Sequence, residues 1–221
     1  MEQDERERAR QAASSAHRRD AEPVKAALTA AGIDTRDFGR FVNRALPGVI
    51  DPAYFDKTRA MPVLLEWLPR VGNERVKETM VRHLSVRTKD GAVADALIPE
   101  FRKPGGPSYK WVVADTLAFV CGPRHYAELT ELAADKSHGH ARSPLVEMQW
   151  RIKTEAADRV LLDGIADPDV SFQAMSALRR RFGNPAARPH IQLLVNHAND
   201  RVRATAQIQL RRIDTYLASK S

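Results

Sequence analysis

The feature that most constrains the fold is a helical motif that returns about every thirty residues. An apolar residue with apolar partners four and eight positions later occurs at Val76, Tyr109, Val170 and Val202, and a looser copy starts at Ala141. These five anchors are 33, 32, 29 and 32 residues apart. Residues four apart lie on one helical face, so each motif predicts a helix with a buried stripe. The even spacing predicts a repeated structure.

Each anchored helix follows another apolar stretch, so the repeat unit is a pair of helices. The preceding stretches are MPVLLEWL, VADALIPEF, YAELTELA, AADRVLLDGI and HIQLLV. No segment alternates apolar and polar residues with an enrichment in β-branched side chains, so we expect no sheet. Helix pairs at this period are typical of α-solenoids. We therefore predict an all-α solenoid of about five helix pairs.

The repeat that begins at Ala141 departs from the pattern at its last core position. Leu145 occupies the position four residues on, but the position eight residues on is the polar Gln149. We expect the neighbouring Trp150 to fill that space in the core.

The sequence before the repeats predicts two further parts. Residues 1–20 alternate charged and small side chains and predict a solvent-exposed helical segment. Residues 21–57 predict a helical cap, with one helix from Pro23 to Gly32 and a second from Thr35 to Pro47 and Gly48. The repeats then fill residues 58–221, with boundaries near 58–90, 91–122, 123–153, 154–184 and 185–221.

Composition excludes several classes of protein. The only cysteine, Cys121, excludes an internal disulfide framework and a cysteine-rich zinc site. The chain has no run of about 18 uncharged apolar residues, so we expect no membrane span, and the charged residues 1–10 do not predict a secretory signal. We expect a cytoplasmic protein.

The sequence also offers little for cofactor or metal chemistry. His138 and His140 lie beside Asp135, but no third ligand follows at a suitable spacing, so we expect no metal site. The PGGP segment at 104–107 contains two prolines and predicts a connection between helices, not a phosphate loop. We expect no cofactor. Aromatic residues make up 6% of the chain and do not alternate with basic residues along the sequence.

Positive charge is concentrated at the C-terminal end. Between Ser176 and Ser221 there are nine Lys or Arg and only two acidic residues, an excess equal to the net charge of +7 of the whole chain. Such a field favours an acidic partner. Three of these cations form the run Arg179, Arg180 and Arg181, which we expect to be solvated.

The repeats resemble those of the HEAT-repeat family, and closely the short-repeat bacterial members whose activity is unassigned. The segments that carry the resemblance are ADPDVSFQAMSAL, NHANDRVRATAQIQL and DKSHGHARSPLVEM, within residues 58–214. Each has an Asp or Asn in the turn, a small or β-branched anchor, and Ala or Leu four residues later. The resemblance implies a right-handed superhelix whose second helices line a concave surface for a partner.

The position after each anchor is basic in four of the five repeats. These residues, in chain order, are Lys77, Lys110, Arg142, Ser171 and Arg203. Stacked repeats would place them in a ladder, which is one interpretation of a binding surface. The resemblance also implies the other interpretation, in which a basic residue at this position pairs with Asp in the turns between helices.

A second resemblance concerns the HEAT-like DNA glycosylases that excise alkylated purines. Trp111 and Asp115 lie four residues apart on one predicted helix, and Arg142 follows in the next repeat. In that family a carboxylate stabilises a cationic sugar while a tryptophan packs on the distorted strand. This chain departs from the family one repeat later, where Ala177 stands in place of a further aromatic residue.

Together these features predict a binding module without catalysis, such as an adaptor, a regulator or an immunity-type protein. A purely structural element of a larger assembly is also compatible with them. The expected partner is an acidic macromolecule, most simply a protein, bound along the concave face through Lys77, Lys110, Trp111, Arg142 and Arg203. The alternative is a nucleic-acid-binding protein that uses the basic C-terminal repeats, or an alkylpurine DNA glycosylase with Asp115 as its catalytic carboxylate.

Overall fold

The computed structural model describes residues 2–36, 38–39 and 55–220, and all regular structure within these ranges is helical. No strand occurs in the described ranges, which confirms the predicted all-α fold. The chain divides into two compact units, Met1–Val120 and Cys121–Ser221. None of the described helices is long and apolar enough to cross a membrane.

The first unit contains five described helices. They are α1 (Glu2–Ala30), α2 (Lys57–Trp67), α3 (Glu74–His83), α4 (Ala92–Arg102) and α5 (Pro107–Val120). Helix α5 packs against both α3 and α4, and α1 contacts α2 and α3. The core of this unit therefore lies where α5 meets its two neighbours.

The N-terminal helix is longer than the sequence predicts. Instead of an exposed segment followed by a separate helix, α1 is continuous, and Pro23 lies inside it. Ala21, Val24 and Leu28 are buried, and their spacing places one apolar stripe near the end of an otherwise charged helix. The predicted stop at Gly32 is confirmed, because its φ of 73° suits glycine and Ile33 donates its backbone N–H to the Leu28 carbonyl.

The second helix of the predicted cap falls mostly outside the described residues. Its expected end at Pro47 and Gly48 lies there entirely. At its expected start, the backbone carbonyl of Thr35 accepts a hydrogen bond from the backbone N–H of Phe38 at 3.0 Å. The described residues around it, 31–36 and 38–39, form turns and irregular structure and not a helix.

The second unit contains six α-helices. They are α6 (Tyr126–Ala134), α7 (Ser143–Met148), α8 (Glu155–Gly164), α9 (Ser171–Phe182), α10 (Asn184–Gln192) and α11 (Asp200–Ala218). Helix α6 packs on α7, α8 on α9 and α10 on α11, and α9 also packs on both α7 and α11. The central element of this unit is therefore α9.

The repeated stripe is buried in all five anchored helices. Every anchor and every partner four and eight residues later is less than 10% exposed: Val76, Met80, Leu84, Tyr109, Val113, Leu117, Ala141, Leu145, Gln149, Val170, Ala174, Leu178, Val202, Ala206 and Leu210. The helical phase predicted from the sequence is confirmed at these positions.

The Asn and Asp residues of the turns start helices. The side chains of Asn73 and Asn199 each accept hydrogen bonds from the backbone N–H groups two and three residues later, at the first turns of α3 and α11. Such caps satisfy backbone donors that a helix start would otherwise leave unpaired. The repeated turn residues therefore fix where these two second helices begin.

The expectation for Gln149 and Trp150 is wrong. Gln149 is fully buried, and it accepts a hydrogen bond from the Thr130 hydroxyl at 2.9 Å and donates one to the Leu145 carbonyl. Those bonds replace the water that the amide loses, so a polar residue is tolerated in the core. Trp150, released from that position, is 37% exposed.

The first helix of the last predicted pair also differs from its predicted position. The apolar stretch HIQLLV predicts a helix over residues 190–195, but α10 begins at Asn184 and ends at Gln192. Pro185 lies in its first turn, where a missing N–H costs nothing. As a result Leu193 follows the helix and is 81% exposed.

Candidate binding surface

The two ladder lysines of the first unit lie against groups of their own unit. The Lys77 ammonium is 3.0 Å from a carboxylate oxygen of Glu100, whose side chain is 5% exposed. Tyr109 donates its hydroxyl to the same carboxylate at 2.8 Å, and Lys103 bonds its other oxygen. The ammonium of Lys110 lies 5.1 Å from the centre of the ring of Phe101.

These contacts shift two pKa values in opposite directions. Burial alone would raise the pKa of Glu100, but hydrogen bonds from Lys103, Lys77 and Tyr109 bring it below its usual value. Burial raises the pKa of Tyr109, and the bond to the Glu100 carboxylate raises it further. The network therefore holds an ionised carboxylate inside the first unit.

The two ladder arginines are in the second unit and make internal contacts. Arg142 is 3% exposed, donates to the Ala133 carbonyl at 2.7 Å and forms an ion pair with Asp167. Arg203 pairs with Asp200 and donates to the His197 carbonyl at 2.7 Å. Asp167 lies between α8 and α9 and Asp200 is the first residue of α11, so both partners fit the internal-pair interpretation.

Trp111 and Asp115 lie on α5 in the first unit, one helical turn apart. Asp115 is exposed and Trp111 is half-buried. In the second unit, Ala177 is fully buried in α9, so an aromatic residue there would enter the core and not form a pocket wall. Arg142 has little surface with which to contact a nucleic acid.

The basic run on α9 is less solvated than its sequence suggests. Arg179 donates to the side chains of Asn184 at 2.8 Å and Gln209 at 2.7 Å. Arg181 forms a two-bond ion pair with Asp158, and both side chains are mostly buried. The expectation of a solvated run is therefore wrong for two of the three arginines. Arg180, between them, is 53% exposed.

Exposed aromatic rings lie beside three arginines of this unit. One of them, Arg181, is 5.5 Å from the ring of its sequence neighbour Phe182 but is held by Asp158. The guanidinium of Arg180 is 5.9 Å from the centre of the Trp150 ring, and that of Arg212 on α11 is 6.0 Å from the ring of Phe172. Trp150 is 37% exposed and Phe172 is 45% exposed. Tyr216, four residues after Arg212, is 46% exposed and lies on the same helical face. We call Trp150, Phe172, Arg180, Arg212 and Tyr216 the arginine–aromatic surface.

Positive charge is concentrated at this surface. Burial lowers the pKa of Arg179, and the neighbouring charges of Arg212 and Arg180 lower it further. Helix α9 itself contains no acidic residue. The nearest acidic side chain to Arg180 is that of Glu147, at 3.4 Å across a largely exposed pair. Such a pair in solvent is weak and would yield to a multiply charged partner.

A groove of about 750 Å³ lies elsewhere in the second unit, between α6 and α8. Its floor includes Ile152, Val160 and the Arg142–Asp167 pair, and its sides carry both acidic and basic residues. The mixed charge of its lining gives no electrostatic preference for an acidic or a basic ligand.

The two histidines near Asp135 contact different residues. His138 is 3.5 Å from the Asp135 carboxylate, while a ring nitrogen of His140 lies 2.7 Å from the Asp169 carbonyl. Among the residues that the structure describes, no group of three or more potential ligands could hold a metal ion.

The arginine–aromatic surface is the feature that the sequence does not reveal. Aromatic and basic residues are not interleaved along the chain, but folding brings Trp150 to Arg180 and Phe172 to Arg212, pairs that are 30 and 40 positions apart. The sequence points the other way, because the polar residue at Gln149 leads to the expectation that Trp150 fills the core.

No family model, curated protein sequence or solved structure matches this chain. Its function must therefore be argued from the geometry of the chain alone.

Proposed function

We propose that this protein is a non-catalytic helical-repeat module that binds an acidic macromolecule through its arginine–aromatic surface. The observation that carries the proposal is the pairing of exposed rings with cations, Trp150 with Arg180 and Phe172 with Arg212. Aromatic and arginine side chains are the residues that contribute most to binding interfaces. An acidic partner would also relieve the repulsion among the arginines.

The finer fold we propose is the right-handed solenoid of HEAT-like helix pairs. Its support is the five buried stripes at a period of about thirty residues and the packing of α9 on α7 and α11 inside the second unit. In such an array the second helices form one continuous face. The arginine–aromatic surface lies on α9, on α11 and just after α7.

The ladder contributes less to this proposal than the sequence suggests. Lys77, Arg142 and Arg203 are paired with carboxylates of their own units. A partner that bound them would have to compete with those carboxylates. We therefore assign the binding energy mainly to Arg180, Arg212 and their rings.

The proposal is tested by anisotropy titrations of labelled heparin, DNA and polyglutamate at several salt concentrations. We expect binding of at least one polyanion that weakens steeply with salt, because neutralised charges release counterions. The double variant Arg180→Glu/Arg212→Glu should lose tenfold or more in affinity, an effect typical of charge reversal at an interface. The matched control is Arg19→Glu/Arg75→Glu in the first unit, which makes the same charge change at exposed sites. Equal losses in both variants would refute a defined surface.

A second candidate is the alkylpurine DNA glycosylase. The observation that favours it is the exposed carboxylate of Asp115 one turn after Trp111 on α5. We expect no release of 7-methylguanine or 3-methyladenine from alkylated DNA, since Arg142 is buried and Ala177 provides no aromatic wall. Base release by the wild type that is lost in Asp115→Asn, an uncharged side chain of similar size, would favour this candidate over the first.

A further inference from the structure

We infer that the acidic partner of the arginine–aromatic surface is a single-stranded nucleic acid. Its bases would stack on the exposed rings while its phosphates contact the arginines. This inference rests on the proposed function, because it names the chemistry of the partner for the same surface.

The rings supply the first part of the argument. Trp150, Phe172 and Tyr216 are large aromatic side chains that are 37%, 45% and 46% exposed. Every nucleobase has a flat π face, so stacking on such rings binds a strand without requiring a particular sequence. A partner recognised by charge alone would not require exposed aromatic rings, and this surface has three.

The cations supply the second part. Arg180 and Arg212 each lie about 6 Å from the centre of one of these rings. Arg179 is half-buried and held by its bonds to Asn184 and Gln209, and its pKa is lowered by burial and by the nearby charges of Arg212 and Arg180. Guanidinium groups suit phosphate oxygens, because their planar donors match the geometry of the anion.

The arrangement along α9 supplies the third part. Phe172 and Arg180 are eight residues apart, which is about 12 Å along a helix. One ring–cation pair therefore lies toward the start of α9 and the other at its end, with Arg179 between them. A polymer that repeats a flat base and a charged phosphate can occupy both pairs at once.

Other acidic macromolecules fit this arrangement less well. In duplex DNA the base faces are stacked inside the helix, so the three rings would have no flat surface to contact. An acidic peptide supplies carboxylates for Arg180 and Arg212 but no regular series of flat groups. A single-stranded nucleic acid supplies charged phosphates and flat bases in alternation along its length.

The test compares four labelled probes in anisotropy titrations with the full-length protein. The probes are a 15-mer of thymidylate, an abasic strand with the same number of phosphates, a duplex of equal length, and polyglutamate. We expect the thymidylate strand to bind roughly 5- to 100-fold more tightly than the abasic strand, which is the range for the stacking of one base. The duplex and polyglutamate should bind more weakly than the thymidylate strand.

Two kinds of variant separate stacking from charge. Phe172→Ala and Trp150→Ala should reduce thymidylate binding roughly 5- to 100-fold each and leave binding of the abasic strand unchanged. Arg212→Gln should weaken both strands and reduce the salt dependence. The control is Leu193→Ala, which removes an 81% exposed apolar side chain that does not belong to the surface. Melting curves of each variant check that it is folded.

Each outcome separates this inference from the proposed function. Equal affinity for thymidylate and abasic strands, or tighter binding of duplex or polyglutamate, would overturn the single-strand inference while leaving an acidic partner in place. Failure to bind any of the four probes would overturn both. A loss caused by Leu193→Ala as large as that caused by Phe172→Ala would show that the rings are not specific contacts.

Discussion

One site in each unit uses positive charge in a different way. In the first unit, Lys77 lies against Glu100, a carboxylate that is almost fully buried and also bonded by Tyr109. In the second unit, Arg180 and Arg212 lie over the exposed rings of Trp150 and Phe172. The first arrangement neutralises its cation inside the protein, whereas the second presents its cations to solvent.

This difference shows that the number of basic residues is a poor guide to a binding surface. The four basic ladder positions are regular in sequence, but Lys77, Arg142 and Arg203 each have a carboxylate partner. What distinguishes α9 is the lack of acidic residues within the helix and the exposure of the rings beside its arginines. If the comparison is right, substitutions in the first network should change stability and substitutions of the surface arginines should change binding.

The largest effect should come from breaking the buried network of the first unit. We expect Glu100→Ala to lower the free energy of unfolding by about 3–5 kcal/mol, because it leaves Lys77 and Tyr109 without their partner in a buried site. Urea unfolding followed by circular dichroism measures this loss. The matched control is Lys103→Ala, since Lys103 bonds the same carboxylate but its side chain is 55% exposed. It should cost less than about 1 kcal/mol. Equal losses of unfolding free energy in the two variants would mean that the exposed Lys103 contributes as much to the Glu100 network as the buried groups do.

The next effect compares core and charge on α9. Leu178 is fully buried, so Leu178→Ala should cost about 2–5 kcal/mol. Arg179→Ala removes two hydrogen bonds, to Asn184 and Gln209, and should cost about 1–3 kcal/mol. Chemical denaturation of the two variants shows which substitution lowers the free energy of unfolding more. A larger cost for Arg179→Ala would contradict the helical phase assigned to this repeat.

The structure explains why core positions could be predicted from the sequence and the binding surface could not. A residue such as Leu178 is recognised by its spacing, because the helical period is a local property of the chain. The contact of Phe172 with Arg212, 40 positions later in the chain, depends on how α9 packs against α11, which no local pattern encodes. Gln149 shows a related limit, since its burial depends on a hydrogen bond from Thr130 on another helix.

A pH-dependent effect is expected in the first unit, at His83. Burial lowers the pKa of His83 from 6.5 to about 4, although its bond to the Phe38 carbonyl acts in the opposite direction and the Lys57 charge lowers it further. As the pH falls, His83 is therefore protonated at a higher pH in the unfolded chain than in the folded protein. The resulting stability is complete above about pH 6.5 and is lost as the pH falls to about 4, by about 3 kcal/mol in total.

Thermal melting between pH 4 and pH 7 measures this dependence. His83→Gln keeps a donor for the Phe38 carbonyl but cannot be protonated, so its melting temperature should fall less over this range than that of the wild type. The same fall in both proteins would assign the pH dependence to other groups, such as the carboxylates whose protonation begins near pH 4.

The smallest expected effect on stability is the most direct test of the difference between Lys77 and the surface arginines. Arg180→Ala and Arg212→Ala should each change the free energy of unfolding by less than about 0.5 kcal/mol, because both side chains are exposed and the pair between Arg180 and Glu147 is in solvent. The same substitutions should weaken binding of a polyanion several-fold, since each removes a cation from the arginine–aromatic surface. Denaturant unfolding and anisotropy titration of the same preparations measure both quantities. A loss of stability comparable to that of Arg179→Ala, with unchanged binding, would make these arginines internal supports like Lys77, and the difference between the two units would disappear.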